Sequence, residues 1–226
     1  MQKLLTVLAI GLTLSSAAHA ELYTLHYTAK ISSISQLGAF PEELPVSTVT
    51  IRNQVINLDD TVTGSYTFDT SASPIAQYNY GSGIKAHYGN DAPFGATVQF
   101  NRTGYKEVSS IYSSAVTVED AAVDYGDTDF VRFDGNTYRE DWVGFGLNFF
   151  DPTATALSAA TIPTTELGQF NGAFYFGSVS YTPGVSSYRL RGELTSMSLV
   201  SAVPEPGTYA MLLAGLGLLA WRRKRA

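Results

Sequence analysis

Apolar and polar residues alternate along most of this chain with the period of a β-strand. Tyr23, Leu25, Tyr27, Ala29 and Ile31 alternate with Leu22, Thr24, His26, Thr28 and Lys30, and side chains two apart share one face of a strand. A second run over 46–58 is rich in Val, Thr and Ile and ends at Asp59-Asp60. Beyond it Val62, Gly64, Tyr66 and Phe68 alternate with Thr61, Thr63, Ser65 and Thr67, stopping at Asp69. Two strands joined by a tight acidic turn are expected there.

Residues 69–93 are broken by Pro74, Gly81, Gly83, Gly89 and Pro93 and are expected as loop with one short strand. Further strands are expected at 96–101, 108–118, 130–133 and 142–150. In the last, Val143, Phe145, Leu147 and Phe149 form an apolar face, with Gly144, Gly146 and Asn148 opposite. Glycines at alternate positions suggest that another backbone packs closely on that second face. Residues 151–167 carry Pro152 and Pro163 and read as connection with at most one helical turn. Strands are expected again at 170–181 and 188–200, separated by Thr182-Pro183-Gly184. No 3.6-residue pattern persists through several turns. The expected fold is all-β, a single antiparallel β-sandwich of jelly-roll type over residues 21–202, with a closed barrel as the alternative.

The two ends read differently. Residues 1–20 hold Lys3, an apolar run over 4–14 and the small-residue close Ala18-His19-Ala20, the form of a secretory signal peptide. At the other end, Pro204 and Pro206 fix φ and remove backbone donors, so neither helix nor sheet runs through them. Residues 209–221 then form an uncharged apolar run containing Tyr209, Leu212, Leu213, Leu216, Leu218, Leu219 and Trp221. As a helix it would span about 20 Å at ~1.5 Å per residue, short of the ~30 Å hydrocarbon core. Arg222, Arg223, Lys224 and Arg225 close the chain, a basic stop expected on the cytoplasmic side.

In that order, Val203-Pro204-Glu205-Pro206, the apolar helix and the basic end closely resemble the PEP-CTERM protein-sorting signal of Gram-negative bacteria. Gly207 stands where that family often has Ser. The resemblance implies cleavage by an exosortase, a membrane transpeptidase-like enzyme, in organisms that make exopolysaccharide. The precursor is then expected in the inner membrane and the mature protein at the cell surface, in the outer envelope or secreted. A plain C-terminal anchor is the competing reading. Residues 58–70 are similar to an opening seen in many secreted proteins with this tail, which implies kinship of fold only.

Charge and composition narrow the central domain. Residues 21–202 hold 9 of the 14 Lys+Arg and 19 of the 20 Asp+Glu, a net charge near −10. Nucleic acid and anionic lipid both require clustered cations, so neither is an expected partner. With no cysteine, the exported domain has no disulfide, thiolate metal site or thiol nucleophile.

His26 and His87 are the histidines outside the signal segment. The first is expected to face solvent from a strand and the second to lie in a loop, and no G-x-S-x-G elbow accompanies either. Glu107, Glu119, Asp120, Glu140 and Asp141 offer carboxylates for glycoside hydrolysis, with solvated strand ends as their expected places. The densest acidic stretch runs from Glu119 to Asp134. There Asp124, Asp127 and Asp129 about Gly126 are a candidate Ca²⁺ site, although their spacing is not that of an EF-hand loop. Tyr78, Tyr80 and Tyr88 in a Gly-rich stretch are candidate glycan contacts. The expectation is an exported, non-enzymatic surface or matrix protein associated with exopolysaccharide. The alternatives are a glycan- or calcium-binding module and, second, a carbohydrate-active enzyme.

Overall fold

The alternation that begins at Leu22 builds β1 (Leu22–Leu37), whose inward residues Leu25, Tyr27, Ala29 and Ile31 are all buried. Ser32 is an extra residue against β14. This bulge reverses the phase, so that Ile34 rather than Ser33 is buried and the strand continues six residues beyond Ile31. The computed structural model describes residues 22–37, 43–81, 83–89, 93–109, 113–122, 126–138, 141–180 and 187–201. The expected signal peptide, the sorting segment with its helix, and the 182–184 turn lie outside them. Among the described residues no helix is long and apolar enough to cross a membrane.

After β1 come β2 (Glu43–Val46), β3 (Thr48–Ile51), β4 (Gln54–Asn57), β5 (Thr61–Asp69), β6 (Ala76–Tyr80), β7 (Gly83–Gly89), β8 (Gly95–Phe100) and β9 (Lys106–Val108). They are followed by β10 (Ser114–Ala122), β11 (Thr128–Tyr138), β12 (Trp142–Asp151), β13 (Asn171–Val179) and β14 (Ser187–Ser201). A 3-10 turn, Glu166–Gln169, interrupts the connection before β13, the one turn expected there.

Several expected boundaries move. The 46–58 run folds back as the β3–β4 hairpin, because Arg52 and Asn53 both take positive φ (46° and 63°), the geometry of a two-residue hairpin turn. Residues 69–93 hold two strands, not one. The 108–118 segment is divided between β9 and β10, and the 130–133 strand extends to 128–138.

One antiparallel sheet runs in the order β6-β7-β10-β11-β12-β13-β14-β1-β5-β8-β9, with β2 beside β1. It curls until its halves face each other, so the sandwich layers are parts of one sheet joined through β13, β14 and β1. Among the described residues no ladder joins the end strands β6 and β9, and the sheet is not a closed barrel. Rings fill the space between the layers. Phe133 lies 5.7 Å from Tyr66 and 5.2 Å from Phe68, and Phe100 meets Phe176 edge-on at 5.2 Å. The buried Tyr66 hydroxyl donates to the Phe145 carbonyl across the layers at 3.0 Å.

Five other rings share a rule of placement. Tyr27 pairs across the ladder with Gly64, Phe145 with Gly135, Phe149 with Gly172, Phe174 with Gly192 and Tyr175 with Gly146. In each pair the ring occupies the room that a Cβ on the glycine would take, as at Gly135, where that atom would lie 3.0 Å from the Phe145 ring. The glycines of β12 therefore receive rings as well as a neighbouring backbone: Gly146 meets Tyr175 and the Phe133 carbonyl, and Gly144 meets the Trp142 indole.

Phe145 is 0% and Phe149 1% exposed, as their spacing predicts. In urea unfolding, Phe145→Ala should cost about 3–5 kcal/mol and Gly135→Ala about 1–3 kcal/mol by overpacking. The exposed Thr61→Ala should stay within ~0.5 kcal/mol. Equal midpoints for all three would contradict the ring-over-glycine arrangement.

Candidate functional site

The residues singled out from the sequence disperse over the fold. Tyr78 and Tyr80 stand on β6, the outermost strand, 48% and 39% exposed with ring centroids 6.2 Å apart. Tyr88 departs from that group, because it sits on β7 facing inward, 5% exposed, and its hydroxyl donates to the Ala160 carbonyl at 2.6 Å. His87 is on the same strand rather than in a loop. Its Nδ1 lies 3.0 Å from Thr117 Oγ1, and burial lowers its pKa. His26 faces solvent on β1, as expected.

Two acids expected at solvated strand ends are buried instead. Glu107 pairs with Arg52 at 2.6 Å and accepts from the Tyr105 and Thr137 hydroxyls. Glu119 pairs with Lys85 at 2.5 Å. Each carboxylate has charged or hydrogen-bonding company, which is what a buried acid requires. Asp120 is raised by burial and by the nearby Asp129. Glu140 lies outside the described residues.

Of the candidate calcium ligands, Asp124 is outside the described residues and Asp127 is exposed in the turn before β11 with φ 58°. Asp129 is 0% exposed, and its two oxygens accept the Ala121 and Leu157 amides at 2.8 and 2.7 Å. Its cross-strand partner Asp151 takes the amides of Thr153, Thr155 and Ala156 and the Thr153 hydroxyl. Both acids thereby fasten the connection that follows β12. Among the described residues no group of three His, Cys, Asp or Glu is placed to hold a metal.

A different arrangement forms on the outer face of β11–β14, where Trp142, Gly144, Asn148, Tyr175, Gly177, Arg132, Arg189 and Arg191 border a groove of about 350 Å³. The register creates it: Gly144 lies beside Gly177, Gly177 beside Arg189, and Tyr175 beside Arg191. The Trp142 indole lies down over Gly144, and a Cβ there would fall 2.6 Å from its Cζ2. Gly177 leaves the adjoining floor open, with Trp142 Cζ3 3.8 Å from where its Cβ would be.

Tyr175 lies over Gly146 and is itself covered by the Arg132 guanidinium, 5.1 Å from the ring centroid. Arg132 Nε donates to Asp134 Oδ1 at 2.8 Å, and the Tyr175 hydroxyl donates to the same oxygen. Burial raises the Asp134 pKa, with Arg132 opposing. Arg189 pairs with Glu43. Among the described residues Arg191 makes no ion pair, and the buried Asn148 Oδ1 has no hydrogen-bond partner. The groove thus presents an aromatic plane and a planar donor without an ion pair.

The hydrogen bonds to Asp151 hold its pKa down to about 2 from 3.8. A depressed carboxylate stabilises the fold fully above the unfolded value and loses that contribution as pH falls through the folded one. The gap in thermal midpoint between wild type and Asp151→Ala should therefore be constant near neutrality and shrink from about pH 4 toward pH 2. A gap independent of pH would remove the carboxylate from that role.

No curated protein matches the chain. A family model, the PEP-CTERM protein-sorting motif, matches residues 202–225, directly after the end of β14 at Ser201. The chain thus carries the PEP-CTERM sorting signal, which marks it as an exported protein directed to exosortase.

Proposed function

We propose that the central domain is a non-enzymatic glycan-binding module that holds exopolysaccharide at the cell surface or in the extracellular matrix. The observation that carries this reading is the Trp142 indole laid on a glycine floor beside the open Gly177. A pyranose ring offers a flat face of C–H groups, and an aromatic plane lying along a sheet meets it without displacing side chains.

The reading as non-enzymatic is supported by the employment of the candidate catalytic groups. His87 is engaged by Thr117, and Glu107 and Glu119 are each tied to a cation, Arg52 and Lys85, rather than left free for the acid and nucleophile roles of glycoside hydrolysis. The sorting segment delivers the module: the membrane holds the precursor until cleavage near Pro204-Glu205-Pro206 frees the folded domain.

The full chain should sediment with exopolysaccharide from an exporting host without releasing reducing ends. Trp142→Ala should abolish that association while keeping the wild-type circular dichroism. Retained binding in the folded variant would locate the contact elsewhere. Separately, changing Pro204, Glu205 and Pro206 to Ala should leave unprocessed chain in the membrane fraction. Intact mass spectrometry that found Trp221 and the Arg cluster on the mature wild-type protein would make the tail an ordinary anchor.

A further inference from the structure

We infer that the groove on β12–β14 selects an acidic polysaccharide, a polymer of hexuronate units, by stacking one sugar on Trp142 and pairing a carboxylate with Arg191. This rests on the glycan-binding reading and adds the charge of the ligand to it. The domain as a whole repels anions, since residues 21–202 carry 19 acidic and 9 basic residues. Yet three of those bases, Arg132, Arg189 and Arg191, border this one groove.

Two of the three are neutralised in place, Arg132 by Asp134 and Arg189 by Glu43. Arg191 is not, and Glu193, the next residue on its face of β14, stands opposite Lys30, which itself pairs with Asp59. Arg191 is therefore the groove's one planar cation without an ion pair among the described residues, and a guanidinium fork matches a carboxylate with two parallel hydrogen bonds. A neutral glycan would leave that donor idle.

Spacing favours a polymer over a single sugar. β13 separates β12 from β14, and the register sets Arg191 four residues along the strands from Trp142, so their backbone positions stand about 16 Å apart, ~10 Å across the strands and ~13 Å along them. That distance exceeds one pyranose ring and suits separate units of one chain. Gly177, between them, leaves the floor free of side chains.

Calorimetric titration of the full chain with a galacturonate oligomer and with a glucose oligomer of equal length tests this. The acidic oligomer should bind about tenfold more tightly, the worth of one charge-assisted contact, and the preference should fade as salt rises. Arg191→Ala should erase the preference, Arg191→Lys should restore part of it, and Trp142→Ala should weaken both ligands together. Equal affinity for the two oligomers, lost in Trp142→Ala and indifferent to Arg191, would overturn the acidic selection and leave the glycan-binding reading intact. Binding of neither oligomer would overturn both. Acidic binding unchanged in both variants would remove it from this groove.

Discussion

Five large rings fit into this sheet because each is set against a glycine on the next strand. Without that pairing, Tyr27, Phe145, Phe149, Phe174 and Tyr175 would stand upright beside other Cβ atoms and hold the strands apart. With it, the rings lie along the sheet and the glycines gain the cover that their missing side chains would have supplied. A glycine in a strand ordinarily weakens it. Here the ring offsets the loss, and the chain is committed to one register, since a slip of one residue would drive rings into backbone.

A related placement produces the groove. On the outer face Tyr175 lies over Gly146 of the next strand and Trp142 over Gly144, two residues along its own strand, where the layer opposite is solvent rather than another layer of rings. A ring placed this way in the core becomes packing; placed outside, it becomes an exposed aromatic plane. The guanidinium of Arg132 closes the Tyr175 plane, which leaves Trp142 as the open surface.

The period-two pattern made the strand class legible, together with the buried face of β12 and most of β1, because a strand buried on one face writes its orientation into consecutive residues. Features that depend on partners were hidden. The bulge at Ser32 is a mismatch between β1 and β14, and neither strand alone reveals it. Tyr88 read like Tyr78 and Tyr80 because all three are tyrosines among glycines, but only the pairing of β7 with both β6 and β10 sends its ring inward. The groove was invisible for the same reason: Trp142, Gly177 and Arg191 meet only once the register of three strands is known. Sorting needs no partner strand, and its motif was therefore readable from consecutive residues.

The pairing of β1 with β14 also sets how the molecule is presented. Tyr23 lies opposite Ser201, while Leu37 lies opposite Ser187 at the far end of the same ladder. Arg189 and Arg191 belong to that far end, and the sorting motif begins just past Ser201. Strand geometry puts roughly 30 Å between Arg191 and the point where the chain leaves the sheet. The groove therefore sits at one tip of the long ladder and the last residue before the sorting motif at the other, so that whatever grips the motif meets the domain at the end remote from the groove.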